Sequence, residues 1–449
     1  MKGKLAVLLA QYLRIRFGRR WKDRAAFERW QERQVLRRLR FVREHSPFYR
    51  ELWGERPLAQ WRQFPMIDKA VMMEHFDRLN TAGILKDQAM EVALEAERTR
   101  NFQPRIGDIT VGLSSGTSGS RGLFLVSDRE QAAWAGAILA KLLPRPLWKG
   151  EKIAFFLRAN SNLYEAVRGG KLQFEYFDLL EPIERHVARL ETYQPGIIAA
   201  PPSVLRLLAE EKREGRLNAQ PHRIISVAEV LDPIDARVIE EAFGLPILQV
   251  YQCTEGFLAS SCSHGTLHLN EDIVHIEKEY VQGEYGVRKF VPIVTDFSRT
   301  TQPIIRYRLN DLLTEAAKPC PCGSVFTAIE RIEGRCDDIF YMEKEIGGPL
   351  VPVFPDFITR SVLAASADIE EYRVIQRDVK SMHIELQLAA DADRIDVERR
   401  VAASIELLLE RLECRLPDLT FGEYSFAPGL QKLRRVERRW RLEASRTPL

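Results

Sequence analysis

Between residues 153 and 253 the chain alternates short apolar runs with longer stretches of helical period. The apolar runs fall at 153–157, 174–179, 196–200, 223–230 and 247–253. Between them, stretches at 164–169, 184–193, 203–212 and 233–243 space their apolar residues three and four apart. The first pattern predicts strands and the second helices. Strands separated by helices predict a mostly parallel sheet with helices on both faces. From about residue 258 the pattern turns β-rich, through 266–276, 285–293 and 303–313. Past Asp338 it changes again. Residues 372–376 and 383–388 read as strands, the second turning Ile384, Leu386 and Leu388 inward. Val397, Val401, Ile405, Leu408 and Leu412 form a helical stripe, and 419–426 a further strand. The expected fold class is α/β. A large domain, residues 1–336, combines N-terminal helices, the mostly parallel sheet and a β-rich subdomain; a small α+β domain follows, residues 337–449.

Upstream, Phe27, Trp30, Leu39 and Val42 share one face of a helix over 23–45, which His45-Ser46-Pro47 ends because Pro47 disfavours helix before it. Asp68 predicts an N-cap for a helix running through Met73. Residues 5–13 are apolar, preceded by Lys2 and Lys4 and followed by Arg14, Arg16, Arg19 and Arg20. The run is short of the ~20 residues a membrane span needs. No small-residue cleavage site follows it, so it does not read as a signal peptide. A basic amphipathic helix docked on protein is expected, with contact to a membrane surface left open.

Composition narrows the class. At 449 residues, 45% hydrophobic and 29% charged, the chain reads as a soluble globular protein too long for one ordinary domain. Its net charge of +3 gives no reason to expect a nucleic-acid partner. Six cysteines are too few and too scattered for a secreted disulfide framework, so a cytoplasmic location is expected.

The chemistry centres on residues 111–122, VGLSSGTSGSRG. Glycines let a backbone approach a ligand closely, successive free N–H groups cradle anions, and hydroxyls add donors. On composition alone a solvated linker is an equal reading. The loop lies between an apolar turn at 109–111 and a helix-like run at 129–143. It matches neither GxxxxGK[ST], since Arg121 and Gly122 stand where Lys and Ser/Thr are needed, nor GxGxxG. SSGTSGSRG resembles the Ser/Thr/Gly phosphate loop of adenylate-forming enzymes, the superfamily of acyl-CoA synthetases and adenylation domains. Within it the likeness is to the phenylacetate–CoA ligase branch, and LRRLRFVREHSPFYREL (36–52) is similar to that branch's opening helix. The resemblance implies that Ser114, Ser115, Gly116, Thr117, Ser118 and Gly119 bind nucleotide phosphate.

Four further stretches carry the likeness in the family's order. Tyr251, Thr254 and Glu255 match its Tyr–x–x–Thr/Ser–Glu turn, which implies that Glu255 and Thr254 hold Mg²⁺ and a phosphate oxygen and that Tyr251 lines the nucleotide site. A hydroxyl beside a carboxylate suits Mg²⁺, which takes one or two carboxylates plus phosphates. Ser226-Val227-Ala228-Glu229 resembles the acidic turn that flanks adenine, with Glu229 ordering the site; Asp232, ahead of Pro233, reads equally as a helix cap. Residues 303–311, PIIRYRLND, are similar to P-x-IRYR-x-x-D, which implies that Asp311 accepts bonds from the ribose hydroxyls. Residues 330–338, ERIEGRCDD, resemble the end of the large domain, where Arg335 would contact the nucleotide and Asp337 would be the hinge of a mobile lid.

Near the C-terminus, LQKLRRV (430–436) is similar to Gly-Lys-x-x-Arg-Val, so Lys432 is the expected catalytic lysine, although Gln431 replaces the glycine. Thiolates and imidazole suit tetrahedral zinc. The resemblance implies a structural site of Cys262, His268, Cys320 and Cys322, with His264 a rival to His268.

The activity implied has two steps. A carboxylate attacks the α-phosphate of ATP to give an acyl-adenylate, and a thiol of coenzyme A or of a carrier protein's phosphopantetheine displaces AMP. Two other readings stay open: adenylation ending in AMP or amide transfer, and a non-catalytic, zinc-stabilised interaction protein. Apolar residues near 198–202, 228–231 and 251–253 favour an aryl or medium-chain acid. Serine-hydrolase chemistry is disfavoured because no G-x-S-x-G is present.

Overall fold

The computed structural model describes residues 2–18, 21–99, 104–114, 121–157, 171–281, 287–426 and 432–440. Five parallel strands, Glu151–Leu157, Leu172–Asp178, Ile197–Ala200, Arg223–Ser226 and Ile247–Cys253, are connected through the helices Ile183–Tyr193, Pro202–Arg213 and Pro233–Phe243 where the connections are described. The helix expected at 164–169 lies outside the described residues. The strand expected at 223–230 stops at Ser226, because Glu229 N–H closes a turn onto Val227 O and Ala228 takes φ +70°.

The β-rich region is not a separate sheet. It continues the parallel strands as one 12-stranded sheet, ordered β-rich strands first and Leu172–Asp178 last. The direction reverses at Ile247–Cys253, which pairs in parallel with Arg223–Ser226 on one side and antiparallel with Gly256–Ser261 on the other. Residues 253–256 turn that hairpin, so the Tyr-x-x-Thr-Glu motif sits where the two halves join. The central strands read as continuous apolar runs because both faces are covered, Ile197–Ala200 and Gly256–Ser261 being buried at every position.

A second, three-stranded sheet flanks the glycine loop, and the helix expected at 129–143 follows it. Ile109–Leu113 pairs antiparallel with Leu123–Ser127, and only then does the helix Asp128–Leu142 begin, with a capping box between Ser127 and Glu130. The described strands on either side of the loop are thus antiparallel partners, Leu113 opposite Leu123. The loop's flank LFLVS is too short and too apolar to be told from the helix it precedes by periodicity.

The N-terminal helices and their caps lie where the pattern put them, and the first is docked on protein. Leu8 and Tyr12 of the helix Lys2–Arg16 are buried, and the helix packs along Asp128–Leu142. A Cβ on Gly136 would lie 2.4 Å from the Leu8 carbonyl, so glycine permits that approach. Ser46 ends the helix Arg24–His45 and its hydroxyl caps the next, while Asp68 caps Lys69–Glu74 through Val71 N–H at 2.9 Å.

The C-terminal residues have their own core. A four-stranded sheet carries Asp418–Glu423, Ser381–Leu388, Ile369–Asp378 and Val436–Arg438 in that order, covered by Pro355–Ala365 and Arg394–Arg411. Val397, Val401 and Ile405 are wholly buried against Ile384 and Leu386. One side chain from the other part of the chain, Ile234, joins this cluster.

Candidate active site

The carboxyl ends of the parallel strands open onto a cleft of about 180 Å³. Ligands of open α/β sheets bind there, beyond the carboxyl ends of the strands. Its lining draws on parts of the chain some 200 residues apart, and of the expected site residues Glu229, Tyr251, Asp311, Arg335 and Lys432 all face it.

Each is held by identifiable contacts. Asp311 opens the strand Asp311–Glu315 and pairs in register with Arg335 on Ala328–Arg335. Its Oδ2 accepts from the Tyr251 hydroxyl at 2.5 Å, while burial pushes its carboxyl above the ordinary aspartate range. Burial likewise drives the Tyr251 hydroxyl well up, helped by the Asp311 charge. Glu229 accepts two backbone N–H groups, from Ser203 at 3.3 Å and from Leu433 at 3.2 Å. Those bonds favour its charged form, but burial outweighs them and raises its pKa. The turn before it is strained: Ala228 is a non-glycine residue in the left-handed region, a cost borne at functional sites when the surroundings over-determine it.

Lys432 follows residues that lie outside the described set, yet its own place is defined. Burial first, and then the Arg335 charge, lower its pKa, while Glu229 and Asp311 act in the other direction. A half-desolvated lysine facing two carboxyl groups and an arginine is a perturbed group in a cleft, the usual mark of a functional site.

Thr254 and Glu255 turn the hairpin at the end of Ile247–Cys253, and the Thr254 hydroxyl donates to Glu255 Oε2 at 2.8 Å. Burial and then the charge of that carboxylate push the Tyr307 hydroxyl and the Cys253 thiol up. Arg299 donates to Thr254 O at 3.0 Å and to Leu125 O at 3.2 Å, which ties this turn to the strand leaving the glycine loop. Glu130 anchors the same segment by accepting from the backbone and hydroxyl of Thr301 and from the Thr300 hydroxyl. Of the glycine loop, Ser114 closes the base: its N–H and hydroxyl oxygen both pair with Gly122, each at 2.8 Å. Ser115, Gly116, Thr117, Ser118 and Gly119 lie outside the described residues. Asp337 accepts from the Asn310 side chain, and Arg434 pairs with the neighbouring Asp338.

Lys69 was not anticipated from the sequence. It lies against the glycine loop, where a Cβ on Gly122 would meet its Cε at 2.9 Å. Burial and the Arg335 charge lower its pKa, and Glu255 and Asp337 attract it. A lysine after an N-cap carries no local signal, since only the fold brings that helix end to the loop.

The C-terminal sheet meets the rest of the chain through buried ions. Arg435 clamps Asp235 with bonds of 2.6 and 2.7 Å and reaches Glu371 at 2.7 Å. Arg206 joins the same group, 3.2 Å from Asp235 and 2.7 Å from Glu371. The Tyr372 hydroxyl donates to Asp232 at 2.6 Å, while Asp232 also caps its helix through Ile234 N–H. Asp232 thus has the capping role the sequence suggested and a long-range partner it did not.

Cys262, His268, Cys320 and Cys322 converge, their ligand atoms all within 4.8 Å of one another. Cys262 and Cys320 sulfurs are 3.7 Å apart, and Cys322 Sγ is 3.4 Å from His268 Nε2. His268 Nδ1 lies 3.2 Å from the Phe326 carbonyl, which holds the proton on Nδ1 and leaves Nε2 to point at the thiols. His264 offers the group a backbone N–H, 3.4 Å from Cys262 Sγ, and is not a member of it. Donor type, count and spacing all fit tetrahedral zinc.

These features define an α/β fold with a cleft at the strand ends that residues near the C-terminus help to line. No family model matches the chain. Protein CapK of Staphylococcus aureus is 25% identical over 226 residues, 49% of this chain and 48% of that protein, so this match spans about half of the relative's length. A phenylacetate–coenzyme A ligase of Thermus thermophilus is 22% identical over 377 residues, 77% of each chain. Among solved structures, 2-hydroxyisobutyryl-CoA ligase in its postadenylation state aligns with a TM-score of 0.65 at 19% identity, covering 91% of this chain and 89% of that one. The same ligase in its thioesterification state aligns at 0.57. In sequence and in fold, the chain is phenylacetate–CoA ligase-like and has the architecture of the adenylate-forming enzymes.

Proposed function

We propose that the protein activates a carboxylic acid with ATP and passes the acyl group to a thiol of coenzyme A or a carrier protein. The observation that carries this reading is the meeting of Lys432 with Tyr251, Asp311, Arg335 and Glu229 in one cleft at the strand ends. A carboxylate oxygen of the acid forms a bond to the α-phosphorus, the bond to pyrophosphate breaks, and the acyl-adenylate is left in the cleft. The thiol sulfur then bonds the acyl carbon as AMP departs. Asp311 and Arg335 hold the nucleoside, residues 114–119 the phosphates, and Lys432 the charge that builds at the α-phosphate. Catalysis of this kind is positioning and electrostatic stabilisation. Ala228, Val230, Val250 and Cys253 give the acid an apolar wall, which suits an aryl or medium-chain acid. The greater likeness to a postadenylation than to a thioesterification state supports reading this arrangement as that of the first half-reaction, with residues 337–449 the lid and Asp337 its hinge. ATP–pyrophosphate exchange with a panel of carboxylic acids tests the activity; no exchange with any acid would favour a non-catalytic protein.

Glu255, with the Thr254 hydroxyl beside it, would hold Mg²⁺ on the nucleotide, and the ion would neutralise phosphate charge there. Glu255→Gln is expected to lower exchange about a hundredfold and to raise the Mg²⁺ concentration needed for half-maximal rate. An unchanged Mg²⁺ dependence would remove Glu255 from this role.

Cys262, His268, Cys320 and Cys322 would hold one structural zinc, joining the turn after Gly256–Ser261, the strand Leu267–Leu269 and the 320–322 loop. None of the four lines the cleft. Protein purified without added metal is expected to carry about one zinc per chain. Cys322→Ser should lose it and lower the melting temperature; zinc content near zero in reduced parent protein would refute the site.

A further inference from the structure

The helix Lys2–Arg16 carries two adjoining apolar stripes, and the fold accounts for one of them. Leu8 and Tyr12 are buried on Asp128–Leu142, Tyr12 accepts from Leu147 N–H at 2.9 Å, and Arg16 donates to the carbonyls of Ala140, Leu143 and Pro144. On the other stripe Leu5, Leu9 and Leu13, four residues apart, are 48%, 37% and 48% exposed. The stripe runs on into Phe17, which stacks on Trp148 with ring centroids 5.8 Å apart; both rings are more than half exposed. An apolar stripe left exposed over three helical turns and continued by two exposed rings marks a surface that meets a partner.

Charge selects what covers it. Residues 1–22 contain Lys2, Lys4, Arg14, Arg16, Arg19, Arg20 and Lys22 and no Asp or Glu. Taking those seven positive charges from the chain's net +3 leaves the remaining residues at −4. Lys4 is held by Asp128 at 2.6 Å, whereas Arg14, Lys22 and Lys149, the last beside Trp148, are exposed. A second copy set face to face would bring like charge against like. An anionic surface meets the same stripe with the opposite sign.

We propose that this stripe docks the protein on an anionic bilayer surface. The leucines, Phe17 and Trp148 enter the boundary between headgroups and acyl chains, and the basic side chains remain among the headgroups. The helix lies on the membrane and does not cross it: its 15 residues make about 22 Å, and no helix among the described residues is long and apolar enough to span. The same surface leaves the cleft's chemistry untouched, since no residue of the stripe lines it.

Flotation of the full chain with lipid vesicles tests this. The parent is expected to float with vesicles of phosphatidylcholine doped with phosphatidylglycerol, and about tenfold less with phosphatidylcholine alone. Leu9→Glu/Leu13→Glu, at exposed positions, is expected to cut the bound fraction about tenfold while melting temperature and pyrophosphate exchange stay at parental values. Lys149→Glu should weaken binding to the anionic vesicles only. The proposal is overturned if the parent stays at the bottom of the gradient with both vesicle types, if it binds both equally, or if the leucine variant floats like the parent. A parent that sediments as a dimer without binding vesicles, with a monomeric leucine variant, overturns it in favour of a second copy.

Discussion

Lys432→Ala is expected to lower acyl-adenylate formation from acid and ATP about 10²–10³-fold, the usual loss when one preorganised charge contact is removed. Given a pre-made acyl-adenylate, the same variant should transfer its acyl group to the thiol at close to the parental rate, because the ammonium acts only on charge at the α-phosphate. Equal loss in both assays would instead make Lys432 a support for the fold. The pH profile adds a second readout. Burial and Arg335 lower this lysine's pKa, so it loses its proton at a lower pH than an ordinary lysine. Adenylation should therefore fall as pH rises through that lowered value, and Lys432→Arg, charged at every accessible pH, should remove that limb whatever it does to the rate.

Asp235→Ala is expected to cost about 3–5 kcal/mol, the range for breaking a buried ion pair by removing one partner. Asp235 is 1% exposed and receives both Arg435 and Arg206, so its loss takes the shared carboxylate from two buried guanidinium groups, leaving Arg435 with Glu371 and the more distant Asp232, and Arg206 with Glu371 and Glu210. Thermal unfolding of the variant should show the effect, and Asp235→Asn, which keeps one acceptor, should recover part of it. A melting temperature within the error of the parent would mean that the cluster is hydrated and carries little. Because the loss falls on contacts between the two parts of the chain, protease sensitivity should rise first in residues 340–440.

The sheet and its helices were legible because both obey strong periodicity; Pro233–Phe243 lies where the apolar spacing put it. The strand Leu123–Ser127 was not, since four apolar residues and a serine next to a helix have no period of their own. Tyr251, Asp311 and Arg335 could be found from short motifs, as each sits at a strand end whose neighbours repeat the pattern. Lys69 and the Arg435–Asp235 clamp could not. Their partners lie 200 residues or more away in the case of Arg435, and a lysine after a cap or an arginine in a basic tail reads as solvated until the fold supplies the carboxylate. The zinc-type cluster fell between: the thiols were visible, but the choice of His268 over His264 needed the strand Leu267–Leu269 to aim Nε2 inward.

The surface by which the C-terminal sheet meets the helices Pro202–Arg213 and Pro233–Phe243 is ionic, with Ile234 its one named apolar member among the described residues. Separating two such faces hydrates charges and uncovers little hydrocarbon. Hydration of apolar surface raises heat capacity and hydration of polar surface lowers it. Beside this face the C-terminal part meets the rest of the chain through an apolar cluster, Ile339, Tyr341 and Phe354 with Val291 and Leu312, so separating the two parts as a whole would raise the heat capacity there and lower it at the ionic face. The two contacts should thus be separable by their responses, the ionic face to salt and the apolar cluster to temperature.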